Sequence, residues 1–260
     1  MPTAIDVFLI AGQSNAVGEG DSAQSPQVIP DKILQIYNGV ITPANDPVGN
    51  AMTGSAWPAF GNEYYALSNR SIAFIPTAVG GTGMSPYADI GTGHWSGYTV
   101  PSSHDLLGRS IEKTNAAMAL LLANGYSPSF KGILWCQGEN EANNICFGAQ
   151  LSKEDVEAML AGVIQRYRKH LEGDWVFYIF KTGTDTRVDQ NCQPIIPNDS
   201  GYRIVHAAQE SVARNVPGTK IIFSGAADFG PRGMMKDGIH YNQDGYNEMG
   251  KTGAQTLLSA

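Results

Sequence analysis

The chain has 260 residues and a formal net charge of −7, with lysine and arginine scattered rather than clustered. That length fits one hydrophobic core at the upper end of single-domain sizes, so residues 1–260 are expected to form one domain. The acidic balance excludes a surface that tracks nucleic-acid phosphates, and no run approaches the ~18 apolar residues of a membrane helix. Met1-Pro2-Thr3-Ala4 leads directly to the first apolar run with no basic and apolar leader, so a soluble chain is expected, its compartment and oligomeric state left open.

In chain order, short apolar runs at residues 5–11, 72–78, 132–137, 175–181 and 220–225 read as buried strands. Residues 105–124 are predicted to be helical, because Leu107, Ile111, Met118, Leu121 and Leu122 share a face, with Ser103 as N-cap and Gly125 as the stop. Residues 152–171 repeat the logic, with Ser152 and Asp155 spaced as a capping box and Val156, Leu160, Val163, Tyr167 and Leu171 as the apolar stripe. Residues 202–215 and 245–258 are the remaining predicted helices. This alternation predicts an α/β fold, a three-layer α/β/α sandwich around a doubly wound, mainly parallel sheet. Ligands of such sheets bind outside the carboxyl ends of the strands. Residues 18–64 and 82–104 do not fit the alternation and read as long ordered surface loops, since Trp57, Trp95 and Tyr98 argue against disorder. No internal repeat or low-complexity tract is present.

Cys136, Cys146 and Cys192 form an odd set that rules out complete internal pairing. Cys136 reads as a small buried hydrophobe in a strand, whereas Cys146 and Cys192 fall in polar stretches and can pair in an oxidising compartment. No C-x-x-C or H-E-x-x-H spacing marks a zinc site, and no metal or organic cofactor is expected.

Four segments carry candidate chemistry. Gly12-Gln13-Ser14-Asn15 follows the first strand and puts Ser14 on a tight turn, where it is either a nucleophile whose own amide faces the same space or simply a helix N-cap. Gly80-Gly81-Thr82-Gly83 follows the second strand, where a bare backbone N–H can meet a developing oxyanion; a phosphate-binding loop is the alternative, disfavoured by the missing G-x-G-x-x-G spacing. Gln137-Gly138-Glu139-Asn140 ends the third strand. Gln137 and Asn140 are both candidate side-chain oxyanion donors, and Glu139 either orients a histidine or holds loops together. Asp237-Gly238-Ile239-His240 supplies a carboxylate that can hold Nδ1–H and leave Nε2 facing a serine. His94 and His104 lie in the second long loop, and His170 and His206 on helices as structural or surface residues.

These blocks, in this order, resemble those of the SGNH or GDSL-type hydrolases, and within them the carbohydrate esterases related to sialate O-acetylesterases and family 6 acetyl xylan esterases. G-Q-S-N looks like the first block, Gly80-Gly81 like the second, Q-G-E-N like the third and D-G-I-H like the fifth. The resemblance implies Ser14 as nucleophile, His240 as general base and then acid, and Asp237 as its orienting carboxylate. It implies an oxyanion hole from the Ser14 and Gly81 amides and a third-block side chain. Read as G-x-N the third block favours Asn140; read as Q-G-E it favours Gln137, ranked first, with Glu139 in support. Cys136 stands where many relatives have histidine, which bears on how Glu139 is held.

The expected function is therefore a serine esterase removing O-acetyl groups from a carbohydrate, acetylated xylan or a sialic-acid-type glycan. Trp57, Tyr87, Trp95 and Tyr98 suit stacking on sugar rings, the commoner alternative for aromatics in long loops being that they anchor the loop. The alternatives are a lipase-like or thioesterase activity of the same superfamily, or a non-catalytic carbohydrate-binding module.

Overall fold

The computed structural model describes residues 2–85, 91–98 and 103–259. Its sheet contains β1 (Thr3–Gly12), β2 (Ile33–Tyr37), β3 (Val40–Pro43), β4 (Ile72–Pro76), β5 (Tyr126–Cys136), β6 (Val176–Phe180) and β7 (Thr219–Phe223) in the order β3-β2-β4-β1-β5-β6-β7. All neighbours are parallel except the antiparallel pair β2–β3. The helices are α1 (Ser14–Val17), α2 (Trp57–Ser68), α3 (Leu106–Ala123), α4 (Glu139–Cys146), α5 (Lys153–His170), α6 (Ser200–Asn215) and α7 (Gln243–Ser259).

Burial on both faces explains why β1 reads as a nearly unbroken apolar run. Val7, Leu9 and Ala11 point into a cluster with Leu107, Leu160, Val163 and Val205 of α3, α5 and α6, whereas Phe8 and Ile10 point into a cluster with Trp57, Phe60, Tyr64 and Met249 of α2 and α7. Helices thus sheathe both faces of one sheet, the expected three-layer α/β arrangement. After β4 the chain crosses over β1 to lay down β5, so the strand order reverses around β1. The crevice at this switch point is bounded by the carboxyl ends of β4, β1 and β5.

The predicted strands and the four predicted helices are present within about two residues of their expected ends, except that β5 begins at Tyr126, six residues earlier than expected. The capping box at Ser152 and Asp155 is formed. Three expectations need correction. Residues 18–64 are not all loop, because they contain β2, β3 and most of α2. The N-cap of α3 is Asp105, not Ser103: its carboxylate accepts the Gly108 N–H at 2.9 Å and is also bound by Arg166. Cys146 and Cys192 do not pair; all three cysteines are free thiols. Cys146 is buried on α4, with its sulfur against Gly201 of α6, whereas Cys192 sits exposed in a turn.

Candidate active site

The end of β1 is forced into a tight turn by its neighbour. Gly12 has φ +124°, and a Cβ there would lie 2.0 Å from the carbonyl oxygen of Cys136 on β5, so only glycine fits. Gln13 N–H then bonds that same Cys136 carbonyl at 2.9 Å, and Ser14 opens the short α1. Gln13, not Ser14, occupies the N-cap position, so the Ser14 hydroxyl is left for another partner. That partner is His240, whose Nε2 lies 2.9 Å from Ser14 Oγ. His240 Nδ1 lies 2.7 Å from Asp237 Oδ2, and Asp237 Oδ1 accepts the backbone N–H groups of His240 at 2.8 Å and Ile239 at 3.1 Å. A carboxylate only accepts, so the proton belongs on Nδ1 and Nε2 is free to accept from the serine hydroxyl. Burial pushes the Asp237 carboxyl up, but the hydrogen bonds from the His240 ring and the two backbone amides outweigh it and hold the group below its ordinary value.

The second and third blocks flank this line. A Cβ on Gly80 would be 3.7 Å from Ser14 Cβ, which places the loop after β4 directly beside the serine. Gly81 follows at φ +72° and is exposed. Among the described residues, neither the Ser14 amide nor the Gly81 amide has an acceptor. Asn140, half-buried at the start of α4, donates from Nδ2 to the Gly81 carbonyl at 3.3 Å. Gln137 is placed differently. It is only 1% exposed, and its amide nitrogen is taken up inside the protein by Gln13 Oε1 (2.8 Å), the Thr82 carbonyl (2.8 Å) and Glu141 Oε2 (3.1 Å). With two hydrogens among these three acceptors, the two at 2.8 Å are the best placed, and no N–H of Gln137 faces solvent; of the two third-block candidates, the geometry puts Asn140 rather than Gln137 at the exposed edge. Trp57 and Trp95 are fully buried core residues and cannot stack on a ligand, Tyr98 is 82% exposed, and Tyr87 lies outside the described residues. His94 is buried, His206 Nε2 bonds the carbonyl of Thr182 at 2.8 Å, and His170 is exposed on α5.

The family profile described as "Carbohydrate esterase, sialic acid-specific acetylesterase" matches residues 4–259. The chain belongs to that family. Solved structures agree on the fold. An Arabidopsis thaliana protein aligns with TM-score 0.68 at 18% identity over 100% of this chain and 99% of its own. A carbohydrate acetylesterase from Xanthomonas citri aligns with TM-score 0.61 at 16% identity over 97% of this chain and 55% of its own. The protein NanS aligns with TM-score 0.56 at 15% identity over 99% of this chain and 98% of its own. No curated protein matches the sequence.

Membership of this acetylesterase family makes the protein a carboxylic ester hydrolase acting on acetylated carbohydrate. Among the described residues, no helix is long and apolar enough to cross a membrane. A buried polar layer lies beneath the site. Glu139 is 3% exposed and does not bond His240; its Oε1 accepts from Asn15 Nδ2 at 2.7 Å. Asn15 also donates to the Ile239 carbonyl at 3.2 Å and accepts the Tyr246 hydroxyl at 2.8 Å, so one amide ties the first, third and fifth blocks to α7. Burial pushes the Glu139 carboxyl up, against the pull of the Asn15 hydrogen bond. Cys136 beside it, buried and without charge, has its thiol pushed well up by burial. Asn15, Gln13, Glu141 and Tyr246 were not singled out by sequence. Asn15 and Gln13 lie inside the first motif, a signal that was available; Glu141 is a carboxylate in a polar stretch that reads as solvent-facing.

Proposed function

We propose that the protein removes O-acetyl groups from a glycan through an acyl-enzyme on Ser14, with His240 as the general base and Asp237 as the orienting carboxylate. The observation that carries this is the continuous line from Asp237 to His240 to Ser14, at 2.7 and 2.9 Å, ending beside two backbone amides that have no acceptor among the described residues. Ser14 Oγ attacks the acetyl carbonyl carbon while its proton passes to His240 Nε2. The oxyanion is received by the Ser14 and Gly81 amides and by Asn140 Nδ2, which gives up its bond to the Gly81 carbonyl. Collapse expels the sugar hydroxyl with the proton from His240, and a water activated by the same imidazole releases acetate. Glu139 acts through Asn15, holding the Ile239 carbonyl and with it the backbone next to His240. The family's own description favours a sialic-acid-type glycan over xylan as substrate.

The test is acetate release from p-nitrophenyl acetate, O-acetylated sialic acid and acetylated xylan, comparing wild type with Ser14→Ala. The expected result is at least a ~10³-fold loss in the variant on every substrate, with the wild type favouring the sialate ester. Retained turnover in Ser14→Ala would overturn the serine mechanism. A preference that rises with acyl chain length would favour a lipase-like activity instead.

A further inference from the structure

Beneath the site lies a carboxylate for which the mechanism above has no use. Glu141 is 1% exposed, and no cation is among its hydrogen-bond partners. Its Oε1 accepts the Met84 N–H at 2.5 Å and its Oε2 accepts the Gln137 amide at 3.1 Å. Burial pushes its carboxyl up, and the Met84 and Gln137 hydrogen bonds pull it back. Burying such a group is unfavourable unless its hydrogen bonds compensate. What they hold is therefore informative.

Both partners lead to the groups around the serine. Met84 lies three residues after Gly81 in the same loop. The Gln137 amide that Glu141 accepts also grips the Thr82 carbonyl, the residue directly after Gly81, and Gln13 Oε1, the residue directly before Ser14. Gln13 Oε1 in turn accepts the Asn140 N–H at 3.2 Å. Trp95 fastens the loop from the other side, with Nε1 on Thr82 Oγ1 at 2.9 Å and its backbone N–H on the Gly83 carbonyl at 2.8 Å. Among the described residues both hydrogen-bond partners of Glu141 are N–H donors, which a side chain accepting with both terminal oxygens satisfies together. Glutamine at this position would set an N–H against either the Met84 N–H or the Gln137 amide and release one of them.

We propose that Glu141 is the positioning residue of the oxyanion hole: its two oxygens fix the Gly81 loop through Met84 and, through Gln137 and Gln13, both the turn that carries Ser14 and the start of α4 that carries Asn140. It touches no reacting atom. This inference rests on the esterase reading of Ser14 and Gly81 given above, and deepens it by naming what sets the hole's geometry.

The test is Glu141→Gln, with Glu141→Asp as the second variant should the first not fold. Sites are counted with a p-nitrophenyl alkylphosphonate, which labels folded, nucleophile-competent molecules, so that kcat is expressed per competent site. Displacing oxyanion donors acts on the transition state alone, so the expected result is a kcat per site lower by about ten- to a hundredfold with KM within about threefold. A purely structural role would lower the number of labelled sites and leave kcat per site unchanged, and that outcome would overturn the proposal. So would a Glu141→Gln kcat within twofold of wild type. A wild type inert towards all acetyl esters would overturn the esterase reading and this inference with it, whereas an active wild type with an indifferent Glu141 would overturn this inference alone.

Discussion

Asp237→Asn isolates the carboxylate's share in activating His240. The residue accepts the His240 Nδ1–H at 2.7 Å and is 44% exposed at its side chain. With charge centres about 4 Å apart, a carboxylate and an imidazolium attract by about 4 kcal/mol at an effective dielectric of about 20 and by about 1 kcal/mol in bulk water. Half-exposure places the interaction between these limits, at about 2–3 kcal/mol of transition-state stabilisation. That corresponds to roughly a 30- to 150-fold loss in kcat/KM. The loss should be smaller than for a triad whose carboxylate is buried, where the same change costs about 10⁴-fold. The assay is steady-state hydrolysis of p-nitrophenyl acetate with Glu139→Gln measured alongside, which should lose less than about tenfold because Glu139 reaches the histidine loop only through Asn15. The reasoning fails if Asp237→Asn stays within threefold of wild type while Glu139→Gln loses a hundredfold, for Glu139 would then be the orienting carboxylate.

Three further outcomes are expected. Asn140→Ala should lower kcat by about 10²- to 10³-fold at nearly constant KM, and Gln137→Ala should instead raise thermal sensitivity, as expected for an amide enclosed by protein acceptors; the reverse pattern would return the oxyanion role to Gln137. Glu139 has its folded carboxyl raised by burial above the unfolded value near 4.3, so its cost to stability is absent below the unfolded value, grows as pH rises past it and is full above the folded one. The stability of Glu139→Gln relative to wild type should therefore rise in urea unfolding as pH is raised above about 4, and a flat difference would show that the carboxyl is not perturbed. A thiol reagent should modify about one cysteine in the native protein, Cys192, and three after unfolding.

The parts legible in the sequence were those with a repeating physical signal. Strands buried on both faces gave unbroken apolar runs, and α5 carried its capping box openly. The β2–β3 hairpin was missed although its turn, Asn38-Gly39 with φ +50° and +77°, is the chemistry that a two-residue hairpin loop demands. The preceding run contains Gln35, which breaks the apolar pattern because its amide serves the Gly49 N–H and the Pro43 carbonyl. α2 also announced itself, with Pro58 at its start and Trp57, Phe60 and Tyr64 on one face, but a long aromatic-rich segment reads equally as a loop. At the site, motif order located Ser14, Gly81, Asn140, Asp237 and His240 near one strand edge. It could not locate Gln137 correctly, since whether an amide faces solvent or a neighbour depends on the loop packed above it. Trp57 and Trp95 failed for the same reason, their rings lying against other aromatics rather than open space.

The serine and the histidine that it meets are 226 residues apart, one leaving the first strand and the other on the loop after the last. At a translation rate of about 5–20 residues per second, the serine proposed as nucleophile is out in front for roughly 10–45 s before the proposed base has been polymerised. Throughout that interval the serine is an ordinary alcohol. On the proposed mechanism, the onset of hydrolysis during refolding is then a clock mark for the docking of the final loop and helix onto the sheet.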